Sequence, residues 1–304
     1  MLSFKPINDE NREEILADLI NIVPDSDADY IAEIFDSLLD DDTSEYAVTA
    51  SFGCLLVRVF DDGYSFIYPI DVCETADPIS AVSAIREYSV KEEIPLVFCD
   101  LPADSIGTIL PLFRHASLDA QDPDGENYTL RIISEAAAIS DIPTIEVDDE
   151  IVLDEMTEND DSLYARLCRD RETNKFWGYD DLADCDSSDD SYFRLVAEGE
   201  FSRGVAVSFA IRYKGSFVGE ATLYGFDLLG GCQCALRILP EMRRCAIASR
   251  SLSALISFGS RIGLLSVSAT VMAENEASVA LCKNRFDEYT TSDGLCTFTT
   301  IFDN

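Results

Sequence analysis

The residues best placed to do chemistry lie in the second half of the chain. The segment Cys232-Gln233-Cys234-Ala235-Leu236-Arg237-Ile238-Leu239-Pro240-Glu241-Met242-Arg243-Arg244-Cys245-Ala246-Ile247-Ala248 runs from an apolar strand through a turn into a helix start. A helix start exposes unpaired backbone N–H groups and a partial positive charge. Small residues let that backbone approach a phosphate closely, and Arg243 and Arg244 add two cations beside it. The pattern suits a diphosphate, and it equally suits a surface helix that merely opens with arginine. Glu220, inside the apolar run Phe217 to Tyr224, and Asp227 just after it are carboxylates that could take a proton from a nucleophile. Each also reads as a solvated or paired strand acid. Phe176, Trp177 and Tyr179 read as an aromatic packing cluster or as the wall of an acceptor pocket. The ten cysteines contain no C-x-x-C pair and His115 is the sole histidine, so no metal site is expected.

The elements that must carry these residues follow from periodicity. In the second half, Thr157-Glu158-Asn159-Asp160 is a helix-start signal ahead of Leu163, Leu167 and Cys168. Tyr192 to Glu200 reads as a helix. Three strands follow, Ala206 to Tyr213, Phe217 to Tyr224 and Cys232 to Leu239, with Lys214-Gly215 and Gly230-Gly231 in the turns. The spacing predicts a long helix over Arg243 to Gly259, a strand over Leu264 to Met272, a short helix over Asn275 to Asn284, and a closing strand over Leu295 to Phe302. In the first half, the first fifty residues read as acidic amphipathic helix. Tyr46 to Phe60 and Tyr64 to Ile70 read as strands around Asp61-Asp62-Gly63. Helices are expected over Ala76 to Glu92 and Pro102 to His115, and strands over Ile94 to Cys99 and Tyr128 to Ile133. The whole reads as an α+β protein of two α/β domains, residues 1–140 and 151–304, with 141–150 as a linker or crossing strand.

Charge narrows the partners. The chain of 304 residues has a formal net charge of -36. Residues 1–150 hold 7 Lys+Arg against 34 Asp+Glu, which leaves 15 against 24 for residues 151–304 out of 22 and 58 in the chain. Such a surface repels nucleic-acid phosphates and anionic lipid, so neither is an expected partner. It attracts cations, amines included. The second half keeps most of the positive charge, as a phosphate-binding domain requires. The apolar runs are too short to span a bilayer, the N-terminus carries no secretory pattern, and cysteines within apolar runs suit a reducing cytoplasm.

The strand–turn–helix segment resembles the acetyl-CoA pyrophosphate loop of the GNAT N-acetyltransferase superfamily, whose pattern is R/Q-x-x-G-x-G/A. It stands here as Arg243-Arg244-Cys245-Ala246-Ile247-Ala248, preceded by Leu239-Pro240-Glu241 as in RimJ/RimL-like members. Val271-Met272-Ala273-Glu274-Asn275-Glu276-Ala277-Ser278 resembles the family's next motif, where an Asn and a small residue open the helix along the pantetheine. Phe217-Val218-Gly219-Glu220 is similar to its third strand. The resemblance covers about residues 151–304. It implies a GNAT fold, with a central mixed, mostly antiparallel sheet flanked by helices. It implies acetyl-CoA as co-substrate, held by Ile238, Leu239, Arg243 to Ala248, Asn275 and Ser278. It also implies acetyl transfer to a primary amine, of a small molecule or a peptide, received between the two halves. Backbone N–H groups near Leu239 would polarise the thioester carbonyl.

The chain departs from the family at several places. Gln233 stands where a glutamate is often found, Ala246 at the first loop glycine, Cys282 where a tyrosine often protonates the leaving thiolate, and Arg285 before the final Phe286 in place of glycine. Glu220, Gln233 and Cys282 are therefore the candidate catalytic positions. A protein that keeps the fold and binds acyl-CoA without turnover is the alternative. The first half lacks the loop pattern and can be read as a degenerate second GNAT-like domain.

Overall fold

The computed structural model describes residues 5–6, 13, 44–49, 53–59, 64–70, 96–103, 106–121, 125, 127–177 and 189–302. The chain divides into two compact units, Met1–Ser134 with Asp227–Leu229, and Glu135–Phe226 with Gly230–Asn304. The helices expected within the first fifty residues and over 76–92 lie outside the described residues, as does Tyr179.

The first unit is built on a seven-stranded sheet. Its strands are β1 (Lys5–Pro6), β2 (Ser44–Thr49), β3 (Gly53–Val59), β4 (Tyr64–Ile70), β5 (Leu96–Pro102), β6 (Ala116–Gln121) and β7 (Asn127–Ile133). They lie in the order β1-β2-β3-β4-β5-β7-β6. The β4–β5 step is parallel and every other step is antiparallel. The run 46–60 is two strands, and the helix expected over 102–115 is shorter. Pro102 ends β5, and the helical part is α1 (Ile106–Ile109) followed by a 3-10 turn, Leu110–Leu112. β6 went unseen in the sequence because Ala116–Gln121 is almost wholly exposed and carries no apolar alternation.

The second unit holds an eight-stranded sheet. Its strands are β8 (Ile145–Glu146), β9 (Ile151–Asp154), β10 (Ala206–Tyr213), β11 (Ser216–Tyr224), β12 (Gly231–Ile238), β13 (Ser266–Met272), β14 (Glu288–Ser292) and β15 (Leu295–Ile301). Their order is β14-β15-β13-β12-β11-β10-β9-β8. Residues 141–150 therefore contain a strand of this sheet, β8, paired antiparallel with β9. The sheet's outer edge is β14, not the segment after Leu295; every β14 side chain is exposed, so its sequence carries no apolar stripe.

Helices cover both faces. They are α2 (Asp161–Arg169), α3 (Arg171–Asn174), α4 (Tyr192–Ser202), α5 (Ile247–Arg261) and α6 (Glu276–Lys283). The residues ahead of α2 behave as the sequence predicts: the Thr157 N–H donates to Asp160 Oδ2 at 2.8 Å, and the Thr157 hydroxyl donates to the same oxygen at 3.0 Å. Alternation in the strands sorts the core into two layers. Val207, Phe209, Ile211, Ala221, Leu223, Cys232 and Cys234 pack with Ile247, Leu252, Leu255 and Phe258 of α5 and with Cys282 of α6. Tyr164, Leu167 and Cys168 of α2 pack with Phe193 of α4, Ala210 and Phe217 on the opposite face. Phe209 is fully buried and meets Phe258 edge-on, ring centroids 5.4 Å apart. Burying such a side chain contributes about 1.5–3 kcal/mol. Among the described residues no helix is long and apolar enough to cross a membrane, and no cluster of His, Cys, Asp or Glu could hold a metal.

Candidate acyl-CoA site

β12 and β13 are parallel neighbours for three residue pairs only, Gly231 with Ser266, Cys232 with Val267 and Gln233 with Ser268. β12 then continues to Ile238 with β11 as its partner, Gly219 facing Ile238. The two strands thus form a fork, and among the described residues one edge of residues 234–238 has no strand partner. A Cβ on Gly219 would collide with the Arg237 carbonyl oxygen, so glycine is what lets β11 lie this close to the end of β12. The Leu239 N–H donates to the Val218 carbonyl at 2.9 Å and is spent there. Strand alternation turns the Ile238 peptide groups the other way, into the fork. The backbone N–H that faces the fork is therefore that of Ile238, one residue before Leu239. The Ile238 carbonyl accepts from Arg243 Nε at 3.4 Å.

The fork leads into the arginine loop. Pro240–Met242 forms one 3-10 turn, and α5 starts at Ile247, four residues later than the sequence predicted. Backbone conformation causes the delay. Arg244 (φ 64°) and Ala246 (φ 57°) are both left-handed, which breaks the helical path between Arg243 and Ile247. Ala246 is the N-cap of α5, and no side chain caps the helix. Arg243, Arg244, Cys245 and Ala246 are exposed while Ile247 is buried beneath them. The first N–H groups of an uncapped helix have no partner within the helix and suit an anion. Ala246 holds this shape at a cost of about 1–2 kcal/mol, because its Cβ crowds the carbonyl that follows. Among the described residues Arg244 has no ion-pair partner. Arg243 donates from its terminal nitrogen to Thr173 Oγ1 at 2.7 Å. The residues present thus fit a diphosphate: two exposed cations at an uncapped helix start, beside the point where β12 and β13 part.

The other sequence-predicted residues fall around this fork in different states. Asn275 caps α6, its side chain accepting the Ser278 N–H at 3.2 Å, so both serve the helix start. Cys282 is buried in the α5-side core near Phe286, and burial pushes its thiol up to about 11. Cys234 is also buried, its thiol pushed well above the usual range by burial and by Cys282. Gln233 occupies the last paired position of the fork, and its Oε1 accepts the Tyr224 hydroxyl at 3.3 Å. Burial raises the Tyr224 phenol. Asp227 accepts the Leu229 N–H at 3.1 Å, closing a turn.

Glu220 is buried, and both its oxygens are engaged. Tyr164 donates its hydroxyl to Oε1 at 2.7 Å, and Arg237 donates Nε to Oε2 at 2.7 Å. Burial and the Glu220 charge hold the Tyr164 phenol well above its ordinary value. The Arg237 guanidinium lies over the Trp177 ring, 4.2 Å from the centroid. Phe176 instead meets Lys175, at 4.8 Å. Sequence reasoning missed Arg237, Tyr164 and Asn174. The available signal was Arg237 itself, a cation at an inward strand position.

Comparison with known proteins adds the family. No curated protein sequence matches the chain. Among solved structures, a probable acetyltransferase is 17% identical, with 52% of this chain and 97% of that one covered and a TM-score of 0.45. RimL, a ribosomal L7/L12 alpha-N-protein acetyltransferase in complex with coenzyme A, is 16% identical over 53% of this chain and 99% of that one, TM-score 0.44. A spermidine N-acetyltransferase from Vibrio cholerae, in complex with CoA and spermine, is 11% identical over 51% and 96%, TM-score 0.43. Residues 150–284 match the family model described as the acetyltransferase (GNAT) domain. The second half of the chain, over those residues, is a GNAT acetyltransferase domain.

Proposed function

We propose that this domain binds acetyl-CoA in the fork and transfers the acetyl group to a primary amine. The observation that carries the reading is the opening of β12 from β13 directly beside an exposed arginine loop with two left-handed residues. Acetyl-CoA supplies the activated carbonyl; the chain's own residues do the rest. The N–H groups of residues 244–248, with Arg243 and Arg244, hold the diphosphate. The Ile238 N–H donates to the thioester oxygen as negative charge develops there. Cys282 is buried in the core and burial raises its thiol, which makes it a weak acid, so solvent water suits protonation of the departing thiolate better. Because both Glu220 oxygens already accept hydrogen bonds, a water chain suits removal of the amine proton better than direct transfer to Glu220. The net charge of -36 favours a cationic acceptor.

A second reading, binding without turnover, draws on the same geometry: Gln233 cannot take a proton, and Glu220 is paired. Two measurements decide. Calorimetry with CoA should show micromolar or tighter binding, and its absence removes both readings. Thiol release from acetyl-CoA with a panel of polyamines, aminoglycosides and peptide N-termini should then show turnover. Binding with no release for any amine, in the native chain and in Gln233→Glu, favours the non-catalytic reading.

We also propose that the first unit is a second GNAT-like domain without a cofactor loop. Its support is the strand order, β2-β3-β4-β5-β7-β6 with one parallel step, which repeats β10-β11-β12-β13-β15-β14.

A further inference from the structure

Arg237 is a buried cation of the second unit with three side-chain hydrogen bonds, and no step above uses it. Its Nε donates to Glu220 at 2.7 Å, one terminal nitrogen to Asn174 Oδ1 at 2.6 Å, and the other to Cys168 Sγ at 3.1 Å. Its flat face lies over Trp177 at 4.2 Å and near Tyr164 at 5.9 Å. The side chains of Arg237 and Glu220 are each 5% exposed. One guanidinium therefore ties β12 to β11, α2, α3 and Trp177 together. A buried pair of this kind is weak as a source of stability and is better understood as fixing one geometry.

What it fixes is the residue after it. Ile238 follows Arg237 in the chain and carries the peptide groups that face the fork. On the residue before Asn174 in α3, the Thr173 hydroxyl accepts from Arg243 at 2.7 Å. Adjacent residues Thr173 and Asn174 thus hold the diphosphate arm and the carbonyl arm of the fork in one frame. We infer that Arg237 is a positioning residue for acyl transfer, clamping the end of β12 so that the Ile238 N–H points at the thioester carbonyl. The inference rests on the fork being the acetyl-CoA slot.

The test compares two ligands on the full chain. CoA and acetyl-CoA share the diphosphate arm, and only acetyl-CoA has a carbonyl for Ile238. Calorimetry should give a loss of acetyl-CoA affinity of about 5–10-fold in Arg237→Lys, which keeps the cation but loses the planar donors. CoA affinity should stay within about twofold of the native value. Asn174→Ala removes one acceptor of the Arg237 guanidinium, leaves the Arg237–Glu220 pair intact, and should shift acetyl-CoA alone by about 2–3-fold; it decides the matter if Arg237→Lys does not fold. Equal losses for both ligands, or no loss for acetyl-CoA, overturn the positioning role while leaving the slot in place. A native chain that binds neither ligand overturns the slot, and this inference with it.

Discussion

Six strands of each unit run in the same order, with different chemistry in one connection. In each sheet a single parallel step, β4–β5 or β12–β13, interrupts an otherwise antiparallel arrangement. In each, the parallel pairing covers only the first few residues: four pairs from Tyr64 with Leu96, and three from Gly231 with Ser266. The segments that connect the parallel strands differ. After β12 the chain reads Arg243-Arg244-Cys245-Ala246, whereas after β4 it reads Asp71-Val72-Cys73-Glu74-Thr75-Ala76-Asp77. A diphosphate is attracted to the first and repelled by the second. The forked sheet is thus a scaffold that both sequences satisfy with apolar strands, while the connections between the parallel strands differ in charge.

If that contrast holds, calorimetry should find one equivalent of CoA per chain; two equivalents would erase it. The largest loss of stability is expected from Arg237→Met in the second unit, which leaves Glu220 buried and uncompensated. It should cost about 3–5 kcal/mol, measured as a lower urea midpoint, and a change under 1 kcal/mol would mean the pair is dispensable. Arg243→Glu puts a carboxylate against the diphosphate and should weaken CoA about 10–100-fold, roughly 1.4–2.8 kcal/mol. Unchanged affinity would show that the loop is not the site.

A pH series probes Cys282. Its thiol is pushed up to about 11 by burial, above an ordinary value near 9. A raised value means that the folded state favours the protonated thiol. That contribution is complete below about pH 9 and is lost as pH rises towards 11. The native chain should lose stability more steeply than Cys282→Ala across that window, and parallel curves would deny the burial. The smallest effect is expected from Ala246→Gly. Glycine adopts φ 57° without the alanine penalty, so stability should rise by up to about 1 kcal/mol. CoA affinity should barely change, because the loop already has its shape without ligand. A large gain in affinity would mean that the alanine methyl blocks the phosphate.

The legible part of this protein was its apolar periodicity. β10 was read with the bounds it has, β11 and β12 to within a residue, and Asn275 as the opening of α6, because buried strands and capped helices write themselves in local pattern. β6 and β14 were illegible, since exposed edge strands need no apolar alternation. At the site, the loop and the arginines could be named from order and spacing. The start of α5 could not, because Arg244 and Ala246 take left-handed angles that their residue types do not announce.

By itself, the sequence determined two acidic α/β halves, a cationic loop in the second, and the residues from which a cofactor grip would be made. Only the tertiary structure decided what each group is available to do. It showed Glu220 committed to Arg237 and Tyr164, Leu239 spent on Val218, and Ile238 turned into the fork. Availability depends on partners far away in sequence: Glu220 lies 56 residues from Tyr164 and 17 from Arg237. Local pattern records which side chains are apolar or charged; it does not record which distant donors and acceptors pairing of the strands will bring within 3 Å of them.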